Sequence, residues 1–569
     1  MKKLPPNRLE NLLDQLDSAK RRFGQKQDKQ IERLLERLSR RRFSDAESLI
    51  RFHEVLLFLR AYPQNARILQ LVEKELSSFS QRVELLQSAG SDTSALDRPE
   101  VSGVAGTSVT DTFSYNIVRW LLEQHPTQVR FDWSWFEDDN RLAATWPRFM
   151  PMLEEDALVE ANVPYVEWLT AAKGRTKEVA WLIQRFESLP RSDREKAELY
   201  DSLKLYVAWT PSYRATRTGM KLPVRKIFYH RQPLILRRDI SFRDELEAPP
   251  PALERLSARL GEVILKLARE TSTVRYRELY GFTHGDPKRI LKASLGRGVD
   301  IFLMGLRPGP RLPLRAYHAA MIFKNGVPVG YFEGLSLFER MESGFNLYYS
   351  FRDGETAWIY ARTLNVFRHL LGVTVFTLDP YQIGHENEEG IESGAFWFYR
   401  KLGFRPTRAQ LLERTLAQEK KIAARSSYRT PKTLLRQLAA SPMVFELDRS
   451  RMGDWDRFQV RSIGLEVQRL MAARFKGDAE RIRGECVETF GPMIGIQPGV
   501  LNDVELRALG DFAGVLGLIP DLNRWSNQEK HALALIIRAK AGADEGRYLK
   551  LMQKHARLRA EMIKLGSRP

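Results

Sequence analysis

The chain has 569 residues, 43% hydrophobic and 28% charged, which is enough apolar material for several packed cores and excludes a wholly disordered chain. Against 71 Asp and Glu it carries 90 Lys and Arg, a formal charge of +19 that favours acidic partners such as nucleic acid, phosphorylated cofactors or an anionic surface. A single cysteine, Cys486, excludes an intramolecular disulfide and any cysteine-based metal cage.

No apolar run approaches the roughly 20 residues that span a bilayer; Val55–Leu59 is far too short. Lys2 and Lys3 are not followed by a continuous apolar segment, so no signal peptide is expected and the expected location is cytoplasmic. Residues 1–87 read as a helical N-terminal region. Leu9, Leu12, Leu13 and Leu16, then Ile31, Leu34, Leu35 and Leu38, give the spacing of one buried helix face. Ser44 and Glu47 predict a capping box that opens a helix running to about Tyr62, before Pro63. Residues 88–112 are rich in Ser, Thr, Gly and Asp without a periodic apolar face, and predict a flexible linker.

Residues 113–247 predict a mainly helical region whose tryptophans, among them Trp120, Trp146 and Trp181, belong to a core. It contains a basic stretch with no acidic residue: Arg214, Arg217, Lys221, Arg225, Lys226, Arg231, Arg237 and Arg238. Tyr213, Phe228, Tyr229 and His230 are interleaved with these cations, a mixture suited to neutralising phosphates and stacking bases. A solvated face or pairing with another domain's acids explains the same residues, and is the preferred reading. After the Pro-rich break at 248–252, residues 252–447 predict a mixed α/β domain, and residues 448–569 a helical C-terminal region.

Within 252–447 the pattern turns strand-like near Val299. Arg315–Phe323 and the segment from Val327 flank Asn325-Gly326, the dipeptide of a type I′ hairpin turn. Phe345–Phe351 alternates as a third strand. A helix with Tyr360, Leu364, Phe367 and Leu371 on one stripe follows, closed by Gly372. Val373–Leu378 reads as a buried strand, Ser393–Leu402 as a short helix before Gly403-Phe404, and Met443–Leu447 as a late strand.

Hairpin, strand, helix, strand, helix in this order resembles the core of the GNAT acyltransferase superfamily. The most specific match is AFWFYRKLGF, Ala395–Phe404, which is similar to that family's signature on its late helix. The resemblance covers about a third of the chain. It implies an α/β GNAT-like mixed sheet domain embedded between mainly helical regions in a multidomain protein, with acetyl-CoA or another acyl-CoA as cosubstrate and no metal. By that resemblance Ala395 lets the cofactor approach and Tyr399 protonates the leaving thiolate. Arg352, Gly354, Glu355 and Ala357 fall on the family's pyrophosphate loop, and Glu392 where many members contact the cofactor arm with asparagine. Two positions depart from the pattern: Glu355 stands in place of glycine, with Gly354 beside it, and Glu392 in place of asparagine.

The reaction so implied is direct transfer of an acyl group to an amine that a carboxylate deprotonates, Glu333 and Glu342 being the candidate bases. The acceptor amine is not specified by the sequence. The alternative is a non-catalytic GNAT-fold scaffold or binding module, with nucleic acid as a disfavoured partner through the basic stretch. His284-Gly285-Asp286 reads as a turn rather than a phosphotransferase loop, since Leu291 stands where that loop needs asparagine. The nine histidines and one cysteine form no metal-ligand motif.

Overall fold

The computed structural model describes residues 8–136, 140–150, 163–425 and 427–568. The chain is mixed α/β: a large sheet with helical regions on either side of it in sequence. No helix among the described residues is long and apolar enough to cross a membrane.

Helices Arg8–Ala19, Gln25–Ser39, Ala46–Ala61, Ala66–Ser77 and Phe79–Ser88 build the N-terminal region. The leucine stripes do face inward: Leu12, Leu13, Leu16, Ile31, Leu34, Leu35 and Leu38 are all buried. The third helix, however, is capped by Asp45, whose carboxylate accepts from Ser48 N–H at 2.7 Å, and not by Ser44. A carboxylate one residue later does the same work.

The expected linker, residues 88–112, is packed instead. Leu96, Val101, Val104, Ala105 and Val109 are buried, and a Cβ at Gly103 would stand 2.5 Å from Val274. The residues between the short polar ones are the ones that make the core, too sparsely for any periodicity to reveal. The segment ends in β1 (Val109–Asp111), which with β2 (Val129–Phe131) flanks β3 (Val207–Trp209) in a three-stranded antiparallel sheet. Helices Tyr115–Gln124, Tyr165–Lys173, Glu178–Glu187 and Asp193–Ser202 lie between these strands in sequence, and Glu178–Glu187 packs on β2. From Leu203 to Ser241 there is no α-helix, against the helical reading of 113–247. Here backbone groups bond to other parts of the chain: Leu222 N–H to Gly326, Phe228 N–H to the Asn325 side chain, His230 N–H to Pro63. The segment is a strap laid between the N-terminal helices and the large sheet.

That sheet has nine strands: β4 (Leu253–Arg255), β5 (Leu291–Gly296), β6 (Val299–Gly305), β7 (Ala316–Lys324), β8 (Val327–Leu337), β9 (Arg340–Leu347), β10 (Val375–Leu378), β11 (Arg405–Pro406) and β12 (Met443–Glu446). Their spatial order is β4-β5-β6-β7-β8-β9-β10-β12-β11. All neighbours are antiparallel except β9 and β10. Asn325 and Gly326 take φ of +50° and +79° at the β7–β8 turn, as the hairpin signal requires. Helix Thr356–Leu371 is the crossover between β9 and β10, and ends at Gly372 with φ +77°. The third strand of the hairpin group starts at Arg340, not Phe345, and residues Tyr349–Phe351 form a 3-10 turn. Its first half, Arg-Met-Glu-Ser-Gly, lacks an apolar alternation, because pairing with β8 rather than side-chain pattern holds it.

Candidate functional site

The parallel pair parts partway along its length. Register runs Val375↔Arg340, Phe376↔Met341 and Thr377↔Glu342; β10 then stops at Leu378 while β9 continues to Leu347. The gap opens into a cleft of about 260 Å³, whose walls include Tyr331, Asn346, Arg352, Thr356, Gln382, Ala395, Phe398 and Tyr399. Parallel strands that diverge leave one edge of β9 unpaired, so backbone N–H and C=O groups face the opening.

Helix Ala395–Arg400 starts at Gly394, φ +70°, and brings both Ala395 and Tyr399 to this cleft. The Tyr399 ring packs at 5.6 Å from Tyr360 and 5.8 Å from Phe404, and Tyr360 is itself fixed by a 2.9 Å hydrogen bond with Ser343. Burial pushes the Tyr399 phenol up, which keeps it protonated at neutral pH. Its hydroxyl bonds to no described residue, so it is free to donate into the cleft.

At the mouth, Arg352 donates to Leu347 O at 3.1 Å and to Glu389 at 2.5 Å. Arg277 reaches the same carboxylate at 3.4 Å and the Tyr331 hydroxyl at 3.2 Å. Two guanidinium groups thus share one carboxylate, and the mouth is cationic. Arg277, Tyr331, Asn346 and Glu389 escaped the sequence reading because nothing local marks them; only the fold assembles them.

Glu355 is wholly buried and turned away from the cleft. Its carboxylate meets Arg297 at 2.5 Å and Lys324 at 3.2 Å, and accepts from Ile235 N–H at 3.2 Å. Lys324 is likewise fully buried, over the Tyr62 ring at 4.7 Å. Burial lowers its ammonium to about 8 despite the opposing pull of Glu355. The negative charge of Glu355 is therefore neutralised inside the protein.

The rest of that loop is covered by the N-terminal region. Asp353 pairs with Lys20 at 3.1 Å and Arg21 at 3.2 Å, and Ser350 donates to Glu54. A Cβ on Gly354 would lie 2.4 Å from the Tyr62 hydroxyl, so this glycine admits a tyrosine of the N-terminal helices. Ala357 is buried in the crossover helix. Glu392 is exposed and pairs with Lys432 at 3.0 Å, outside the cleft wall.

The two candidate bases also lie outside that wall. Glu333 sits two residues from Tyr331 on the same face of β8, accepting from Tyr317, and burial raises its carboxyl. Glu342, opposite Leu335 at the last paired position of β9, is engaged by Arg315 at 3.5 Å and Arg340 at 3.4 Å.

The basic stretch is not one surface. Arg217 is buried against Glu54 at 3.4 Å, Lys221 pairs with Glu73 at 2.8 Å, and Arg237 donates to Lys401 O. Arg238 lies 3.7 Å from Asp239, whereas Arg214, Arg225, Lys226 and Arg231 are exposed. With so few cations available, any nucleic-acid affinity of this strap is expected to show a log–log salt slope of about 4 or less in magnitude. A filter-binding series over salt concentration measures it, and a steeper slope would place the main contact elsewhere.

No family model matches the chain, and neither any curated protein nor any solved structure matches it. Among the described residues no group of His, Cys, Asp and Glu could hold a metal ion.

Proposed function

We propose that the chain is an acyl-CoA-dependent N-acyltransferase of GNAT type. The observation that carries this reading is the parted parallel pair β9–β10, with Tyr399 and Ala395 of the signature segment lining the cleft where the strands diverge. Two further features support it. The helix crossing from β9 to the parallel strand β10, with helix Ala395–Arg400 after it, follows the strand, helix, strand, helix order of the resemblance. The Glu355 carboxylate, the strongest objection from sequence, is consumed by Lys324 and Arg297.

In this reading the acyl thioester enters the cleft, and a backbone N–H on the unpaired edge of β9 polarises its carbonyl. The amine attacks that carbon, and the C–S bond breaks as Tyr399 donates its proton to the thiolate. Glu333, whose carboxyl burial raises and so makes more basic, or Glu342, each set back from the cleft wall, receives the amine's proton through water. Arg352 and Arg277 meet the donor's phosphates at the mouth.

The second reading, a GNAT-fold scaffold without catalysis, is favoured by the N-terminal cover: Tyr62 on Gly354, and Lys20 with Arg21 on Asp353, occupy the side of the loop where a pyrophosphate would lie. Calorimetric titration with acetyl-CoA separates the two. Micromolar binding is expected for the enzyme; no heat at millimolar cofactor would leave the scaffold.

A further inference from the structure

A second pocket, about 560 Å³, lies between helix Tyr115–Gln124, helix Ala258–Thr273 and the turn Thr283–Lys288. That volume falls in the range of small-molecule sites. Arg269 crosses its wall over the Trp120 ring at 5.9 Å, with its guanidinium anchored to Phe282 O at 2.8 Å and Thr283 O at 3.1 Å. Arg307 converges on the same place, its backbone N–H on His284 O at 3.1 Å. Lys288 is on the rim.

The charges here do not balance. Of the carboxylates on the wall, Asp286 is held by Arg289 at 3.0 Å, and Glu123 faces Arg119 at 3.9 Å. Arg119 is itself drawn to Glu187 at 2.9 Å. Exposed Glu262 and, more weakly, Glu123 are the counter-charges that Arg269 feels, and none of Arg269, Arg307 and Lys288 forms an ion pair with a described residue. Both guanidinium groups are gathered on the Thr283 carbonyl, Arg269 at 3.1 Å and Arg307 at 3.5 Å, with no carboxylate in contact with either, so their mutual repulsion is relieved by an anion that joins them. Planar guanidinium groups suit a tetrahedral oxyanion that each can grip through two N–H bonds.

We infer that this pocket binds a phosphate group, free or as the monoester of a small metabolite, between Arg269 and Arg307, with His284 as a third donor. The site is distinct from the β9–β10 cleft and does not depend on the acyltransfer reading. His284 reports on it. Its ring makes no hydrogen bond to a described residue and packs on Tyr280 at 4.5 Å. Burial, then Arg307 and Arg269, hold its pKa down to about 4. A phosphate anion seated among these groups opposes both arginines and raises it.

The test follows the His284 ring by NMR during pH titrations of the full chain, without addition and with inorganic phosphate, glycerol 2-phosphate or acetate at about 10 mM. A rise of at least one unit with either phosphate and none with acetate is expected. The stronger of the two phosphates identifies whether the free ion or a monoester is the ligand. Arg307→Gln, on an exposed side chain, should weaken the response at least tenfold while the fold is kept; Arg269→Lys retains charge and should weaken it less than Arg269→Met. No movement of His284 with either phosphate, an equal movement with acetate, or a response unchanged in Arg307→Gln would overturn the inference.

Discussion

Glu355→Ala is expected to destabilise the protein by about 3–5 kcal/mol, the cost of stranding a buried charge. The helix-end position alone would suggest a loss of only about 0.3–1 kcal/mol, the value of a carboxylate in a first helical turn. Burial decides between these. Arg297 is partly exposed and can turn to water once its partner is gone, but Lys324 has no exposed surface and no route out. Glu355→Gln keeps the shape and an acceptor for Ile235 N–H, and so isolates the charge. Pairing Glu355→Met with Lys324→Met should restore most of the stability, because two matched apolar side chains replace a desolvated pair. Urea midpoints for the variants, with the slope unchanged, measure this. A loss below about 1 kcal/mol in Glu355→Ala would mean that the carboxylate is not the counter-ion the geometry makes it.

On the proposed acyltransferase reading, Tyr399→Phe lowers turnover by about 10²-fold or more, with CoA affinity within about twofold of the parent. The split between kcat and binding is the informative part. The phenol bonds to no described residue, so its removal takes nothing from the fold, and the ring contacts with Tyr360 and Phe404 survive in phenylalanine. Steady-state rates with acetyl-CoA and an amine acceptor, beside a calorimetric isotherm, give both quantities. Unchanged turnover would remove Tyr399 from the mechanism and leave the leaving thiolate to be protonated by water.

What could be read ahead of the structure was whatever neighbouring residues decide among themselves. Asn325-Gly326 needs two positive φ angles, and only a tight hairpin offers them; Gly372 ends a helix for the same local reason. The Ala395–Phe404 segment is continuous in sequence and closed by Gly403, so a short helix could be read there; that Ala395 and Tyr399 share one cleft is a matter of the fold. Glu355 could not be read in this way. Its partners Lys324 and Arg297 lie 31 and 58 residues away, and a charge's burial depends on those partners, not on its neighbours. The strap failed for a related reason: Arg217 and Arg225 look alike in sequence, yet one is sealed against Glu54 and the other faces solvent. Strand β5 was missed because Leu291–Gly296 mixes lysine, serine and glycine; its place is set by backbone pairing with β6.

The seating of the N-terminal helices on the sheet also sets an order in time. Asn325 donates to Ala61 O across 264 residues of chain, and Tyr62 fits against Gly354 and Lys324, which are made later still than the helices themselves. At about 5–20 residues per second, the first five helices leave the ribosome on the order of 10–50 seconds before the surface they rest on exists. Throughout that interval the side of Tyr62 that ends against the sheet has no partner. A nascent chain halted before Lys324 would therefore display a docking face with nothing to dock on, the kind of surface that chaperones hold and that neighbouring chains on a polysome aggregate through.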